Sequence, residues 1–172
     1  MKNLVIFGLM SCLLGFWSCR TQSNPTPVSN AWTYSGSGDG NIGTNNNVVI
    51  TFPIQSNLNV NGVAQLSNNA VVNNDLNLNL GGKVVVITTH ITDTVYLNGN
   101  VNVNDSLFIN RGIVKVARDF NINSKGFVNC SDSARVIIGG SLNQAGTLWG
   151  NTYIKATTKN INNPNQTFAN PY

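Results

Sequence analysis

Val95-Tyr96-Leu97-Asn98-Gly99-Asn100-Val101-Asn102-Val103-Asn104 sets the pattern by which most of the chain can be read. Two apolar pairs, Val95 with Leu97 and Val101 with Val103, are separated by a three-residue polar gap. Residues two apart point to the same side of a strand, so the stretch encodes two short strands joined by a corner. The pattern recurs as Phe52-x-Ile54 with Leu58-Asn59-Val60-Asn61, and as Ala70-x-Val72 with Leu76-Asn77-Leu78-Asn79. After the quoted copy come Val114-x-Val116 with Phe120-Asn121-Ile122-Asn123, and Val136-x-Ile138 with Leu142-Asn143, where Gln144 and Ala145 break it. The third apolar residue falls at 58, 76, 101, 120 and 142, giving spacings of 18, 25, 19 and 22, the self-similarity of a stacked repeat.

A further apolar pair, Ala64 with Leu66, Leu107 with Ile109 and less cleanly Gly126 with Val128, adds a third strand to each rung. Three strands and three corners per repeat predict an all-β, single-stranded parallel β-helix of about five to six rungs, spaced about 4.8 Å apart. The general crossover preference makes the expected coil right-handed. Four inward columns over five rungs comprise 20 positions, of which 19 are apolar in a chain that is 41% apolar overall, Gln144 being the exception. That fixed register favours the solenoid over a β-sandwich, which accounts for short strands but not for their spacing.

Met1 to Trp17 carries one cation, Lys2, and then an apolar run from Leu4 too short to span a bilayer, which reads as an export signal. Ser18 and Cys19 at its end resemble the lipobox of bacterial lipoproteins, in which a small residue precedes the lipidated cysteine. The resemblance implies a signal peptide over 1–18, lipid on Cys19 and an outer-membrane anchor in the cell envelope. Leu9-Met10-Ser11-Cys12 matches locally as well, and ordinary signal cleavage also stays open. Residues 19–30 read as a tether, with Pro25 and Pro27 stiffening an eleven-residue stretch after Cys19 that reaches at most about 36 Å. Surface lipoproteins of the Bacteroidota kind, which the chain otherwise resembles, often carry acidic residues just after the cysteine. None stands there, so the surface and periplasmic faces both stay open.

Residues 31–51, AWTYSGSGDGNIGTNNNVVIT, resemble the opening of parallel β-helix surface proteins of the autotransporter and haemagglutinin-like kind. The resemblance implies an N-terminal cap in which Trp32 and Tyr34 cover the open core. Gly36 to Asn41 contains one Asp, and a calcium site gathers several oxygen ligands, so the segment reads as a turn. The solenoid is expected over 52–163. Residues 164–172 are expected to form a C-terminal cap, with Pro164 and Pro171 stopping strand addition. Leu148, Trp149, Tyr153, Phe168 and Tyr172 are available to close the lower opening.

Asn is the unusual residue, 31 of 172. Asn59, Asn77, Asn102, Asn121 and Asn143 occupy one column and should stack, with Asn162 joining them after Ile161. Their amides can hydrogen-bond from rung to rung as in cross-β ladders. The plainer alternative is that Asn tolerates left-handed corners and keeps an outer face soluble. The column just before the third apolar residue reads Asn57, Asp75, Asn100, Asp119, Ser141, so acid never stacks on acid.

The extra residues of the 25- and 22-residue rungs fall around 85–94 and 129–135. Both are expected to project from one corner, and insertions mark the elaborated side of a solenoid. They carry His90, Asp93, Cys130, Asp132 and Arg135, which makes His90, Asp93, Asp132 and Arg135 a candidate binding edge. The Asn column is a candidate ladder face.

Little catalytic chemistry is available. β-Helix enzymes that cut acidic glycans use clustered carboxylates, whereas this chain has six Asp, no Glu and no obvious pair among them. His90 lacks a recognisable nucleophile or metal partner. Cys130 is the only cysteine after Cys19, and no zinc spacing exists. No catalytic residue, metal or cofactor is therefore expected. Without Lys2, nine Lys and Arg oppose six Asp, and Arg111, Lys115 and Arg118 form a weak basic patch with no aromatic platform, which disfavours nucleic acid. The expected function is that of a non-enzymatic structural or adhesive envelope lipoprotein. The alternative is a polysaccharide-binding or polysaccharide-cleaving β-helix, with ice binding more remote.

Overall fold

The structure is a computed structural model whose described residues are 34–150 and 153–162. The signal and tether segments, Cys19, Cys12, Trp32, Phe168, Tyr172 and the two C-terminal prolines lie outside those residues.

The described chain is all-β, with no helix, and winds as a parallel β-solenoid of about six turns. The first turn holds β1 (Gly40–Ile42), β2 (Asn47–Ile50) and β3 (Pro53–Ile54). The second holds β4 (Leu58–Val60), β5 (Val63–Leu66) and β6 (Val71–Val72), and the third β7 (Leu76–Leu78), β8 (Lys83–Ile87) and β9 (Thr94–Leu97). In the fourth turn β10 (Val101–Val103) is followed by β11 (Ser106–Val116), which runs through a corner and serves two faces. Gly112, at φ 98, lies at that corner, where a side chain would be strained. The fifth turn holds β12 (Phe120–Ile122), β13 (Phe127–Cys130) and the start of β14 (Ala134–Gln144). The sixth holds the rest of β14, β15 (Thr147–Trp149) and the start of β16 (Tyr153–Ile161).

Every strand pair is parallel and the registers follow the repeat. Leu58, Leu76, Val101, Phe120 and Leu142 stand in one column, joined above by Gly40 and below by Lys159. The ladder thus begins before Phe52, since β1 and β2 already pair with β4 and β5. It also continues past Gln144, because β16 pairs with β14 along its length.

Alternation along each strand turns aliphatic side chains inward, and 19 of the 20 positions expected in the core are buried. The exception is Phe52, exposed at 38%, which stacks on Tyr34 at 6.0 Å outside the coil. Gln144 is buried and donates Nε2 to Gly146 O at 3.2 Å, so the one polar member of the columns still points inward. The third strand of the fifth turn turns Val128 and Cys130 inward, in register with Leu107 and Ile109, while Gly126, also buried, lies in the corner before it. Cys130 is therefore a core residue and not part of a projecting loop. Burial pushes its thiol up to about 12 by penalising the thiolate. Leu148 likewise packs in the core, in register with Val128.

The rung-length differences fall at two corners, not one. Between the second and third faces lie the expected loops, 88–93 and 131–133. Between the first and second faces the corners alternate in length. Four residues (43–46, 79–82, 123–126) alternate with two (61–62, 104–105, 145–146). Each four-residue corner is a β-turn closed by the same bond, Asn46 N–H to Gly43 O, Gly82 N–H to Asn79 O and Gly126 N–H to Asn123 O. In the later two corners the last residue must be small, because a Cβ on Gly82 or Gly126 would overlap the carbonyl of Val60 or Val103 on the rung before.

Candidate functional site

The asparagine column on the first face is continuous over seven rungs. Asn59 donates Nδ2 to Oδ1 of Asn41 at 2.9 Å, Asn77 to Asn59 at 2.9 Å and Asn102 to Asn77 at 2.9 Å. Asn121 donates to Asn102 at 2.8 Å, Asn143 to Asn121 at 2.8 Å and Asn160 to Asn143 at 2.7 Å. In-register parallel pairing repeats one side chain at the rung spacing, which matches the reach of an amide to its copy. Asn160, not Asn162, completes the column, because Ile161 faces Gln144 and leaves Lys159 opposite Leu142. A bulge between Ile138 and Ser141, where β14 has one more residue than β16, shortens that rung. Asn41 was not legible as a member, since the position before it is Gly40 rather than an aliphatic residue.

The neighbouring corner column forms a second ladder, in which side-chain oxygens accept backbone N–H groups from the next rung. Asp75 N donates to Asn57 Oδ1 at 3.1 Å, and Asn100 N to Asp75 Oδ1 at 2.7 Å. Asp119 N donates to Asn100 Oδ1 at 3.2 Å, and Ser141 N to Asp119 Oδ1 at 2.8 Å. Acids and amides alternate as the sequence implied, and Asp39 starts the series by accepting Asn57 N and Nδ2, each at 3.1 Å. The Ser56 side chain, then the Asn57 backbone and amide, hold the Asp39 carboxyl below its usual range. The Gly36–Asn41 segment thus turns its single carboxylate onto the next rung.

On the other side of the ladder face, the alternating corners enclose an open groove of ≈ 570 Å³. Asn61, Asn79, Leu80, Asn104, Asn123, Ser124 and Lys125 line it. Here the amides pair in twos. Asn79 Nδ2 donates to Asn61 Oδ1 at 3.1 Å and Asn123 Nδ2 to Asn104 Oδ1 at 2.8 Å. Between the pairs the ladder is interrupted, because Asn104 turns its Nδ2 to Leu78 O at 3.1 Å and bypasses the Oδ1 of Asn79. Leu80 at the tip of one turn is exposed at 61%. The groove escaped the sequence reading, although gap lengths alternating between four and two residues were its signal.

Asp93 accepts His90 N–H at 2.7 Å and Asn68 Nδ2 at 2.9 Å, and Asn68 Oδ1 accepts Thr89 N–H at 2.8 Å. That carboxylate closes its own loop. His90, Asp132 and Arg135 are exposed, and Arg135 lies on β14 opposite Ile113 and Tyr153 rather than in the 131–133 loop. The two loops share a side of the coil, with the intervening rung between them. Arg111 Nη1 reaches Thr89 O at 3.2 Å and Ser131 Oγ donates to Asn110 O. The basic patch does have an aromatic neighbour, since Lys115 Nζ sits 5.5 Å from the Tyr96 ring centre. Among the described residues no three His, Cys, Asp or Glu side chains gather as metal ligands would.

No family model matches the chain, nor does any curated protein or solved structure.

Proposed function

We propose that the chain is an exported, lipid-anchored element of a bacterial cell envelope whose role is structural or adhesive. The observation that carries this reading is the unbroken amide ladder from Asn41 to Asn160. Seven in-register amides hold the first face flat and polar, and rigidity of that kind suits presentation of a surface. The lipobox-like Ser18-Cys19 supports attachment through a lipid on Cys19, in the outer membrane, with either face of that membrane open. In this reading His90, Asp93, Asp132 and Arg135 form a solvated edge beside the presenting faces.

Attachment and adhesion are tested together. Cys19→Ser should move the protein from the detergent-soluble membrane fraction to the soluble fraction, because it removes every acyl chain. Cells displaying the wild-type chain should gain adherence that the Cys19→Ser cells lack. Membrane retention of a normally processed Cys19→Ser protein would defeat the anchor, and unchanged adherence would defeat the adhesive role.

A further inference from the structure

The first corner of the solenoid has a longer period than the coil itself. Its protruding β-turns, 43–46, 79–82 and 123–126, occur on every second rung, and the two-residue corners at 61–62 and 104–105 form notches between them. The teeth are therefore about 9.6 Å apart, twice the inter-strand spacing. The amide pairing repeats with the same period, Asn61 with Asn79 and Asn104 with Asn123. In the notch above Asn104 the Oδ1 of Asn79 stands outside the ladder. Ser124 and Lys125 add a hydroxyl and a cationic donor, and exposed Leu80 adds an apolar contact.

We propose that this toothed corner is a glycan-binding groove, in which an extended neutral polysaccharide lies along the solenoid axis with one two-sugar unit for each pair of rungs. A flat β-linked chain repeats every second sugar over a length close to the tooth spacing. Its hydroxyls both donate and accept, as amides do, and its C–H faces suit Leu80. Neutrality follows from the corner as a whole, where the one cationic tip residue, Lys125, is offset by Asp105 in a notch, whose carboxylate accepts Gly81 N–H at 2.8 Å. The proposal rests on the adhesive reading and deepens it, naming the ligand class and placing contact beside the flat face rather than on it.

The test is retention of the full chain, purified in detergent, on amorphous cellulose, chitin and an insoluble β-1,3-glucan. Deleting Leu80 and Gly81 converts the Asn79–Gly82 turn into the Asn61–Gly62 type already present one rung earlier, and Leu80→Asp changes only an exposed tip. Both should lower retention about tenfold or more on whichever glycan the wild type binds, with unchanged melting temperature for Leu80→Asp and a small decrease for the deletion, which removes the bond from Gly81 N to Asp105 Oδ2. His90→Ala with Asp93→Ala should leave retention intact. If the deletion variant misfolds, Leu80→Asp decides alone. No retention of wild type on any of the three glycans, or wild-type retention by a folded Leu80→Asp protein, overturns the groove. A protein that is membrane-attached and adherent yet retained on no glycan overturns the groove only, whereas one found only in the soluble fraction, with no gain in adherence, overturns the reading beneath it.

Discussion

Asn102 reaches Asn77 across 25 residues of intervening chain at 2.9 Å, the same distance at which Asn77 reaches Asn59 across 18. The seven additional residues leave no trace in the ladder, because they are absorbed at two corners while the strands keep their register. Geometry at the first face is thus insulated from changes elsewhere in the rung.

That insulation makes the ladder's own contribution measurable. Asn102→Ala removes one amide bond on each side and should cost about 2 kcal/mol at the level of ordinary net hydrogen bonds, read as a lowered urea midpoint. Asn160→Ala, which removes a single exposed bond, should cost about half that or less. Equal losses at both sites would show that the amides do not act as a column.

Leu97 is 1% exposed, with Val72 above and Val116 below, so Leu97→Asp buries a charge without a partner and should unfold the domain. Phe52→Asp, at the one expected core position that lies outside the coil, should leave the circular dichroism spectrum unchanged. An unfolded Phe52→Asp protein would contradict the outward placement.

Cys130 should be silent toward a thiol reagent in the native state and react only with unfolding. Its folded pKa, about 12, lies above the ordinary thiol value of 9.0, so the unfolded chain loses the proton first as pH rises. Stability should therefore fall above about pH 9, and Cys130→Ala should flatten that alkaline slope. Rapid labelling at neutral pH without unfolding would overturn the burial.

Asp39 has the opposite sign. Its folded pKa lies below 3.8, so its contribution is fully present above that pH and is lost as pH falls through the lowered value. An amide titration of Asn57 should show its inflection below 3.8, and Asp39→Asn should remove it. An inflection at or above 3.8 would mean that the hydrogen bonds to Asp39 are not made.

The core was legible because inward positions must be apolar and recur at strand period, so Leu58, Leu76 and Val101 announce one another. Reading failed where chemistry and direction part company. Phe52 is apolar but lies outside, with Tyr34 as its partner, while Gln144 is polar but inside, where its Nε2 donates to Gly146 O. Cys130 reads as a loop residue when Gly126 is set beside Leu107, but backbone pairing sets Val128 there, which moves the fifth rung's third strand on by two. At the first corner, lengths were hidden because a surplus there and a surplus at the next corner give the same repeat length. The polar columns were half visible. Asn59 and Asn77 share a motif, but the roles of Asn41 and Asn160 depend on backbone pairing that their neighbours Gly40 and Lys159 disguise.

Every bond of the first-face ladder points the same way, each amide donating toward the rung nearer the N-terminus. The side-chain dipoles therefore add rather than cancel, and each polarises the next. Lengthwise, the molecule behaves as an electret, with its acceptor terminus at Asn160. Its two ends are chemically unlike, so the amide column could be extended by a second molecule only head to tail, never head to head.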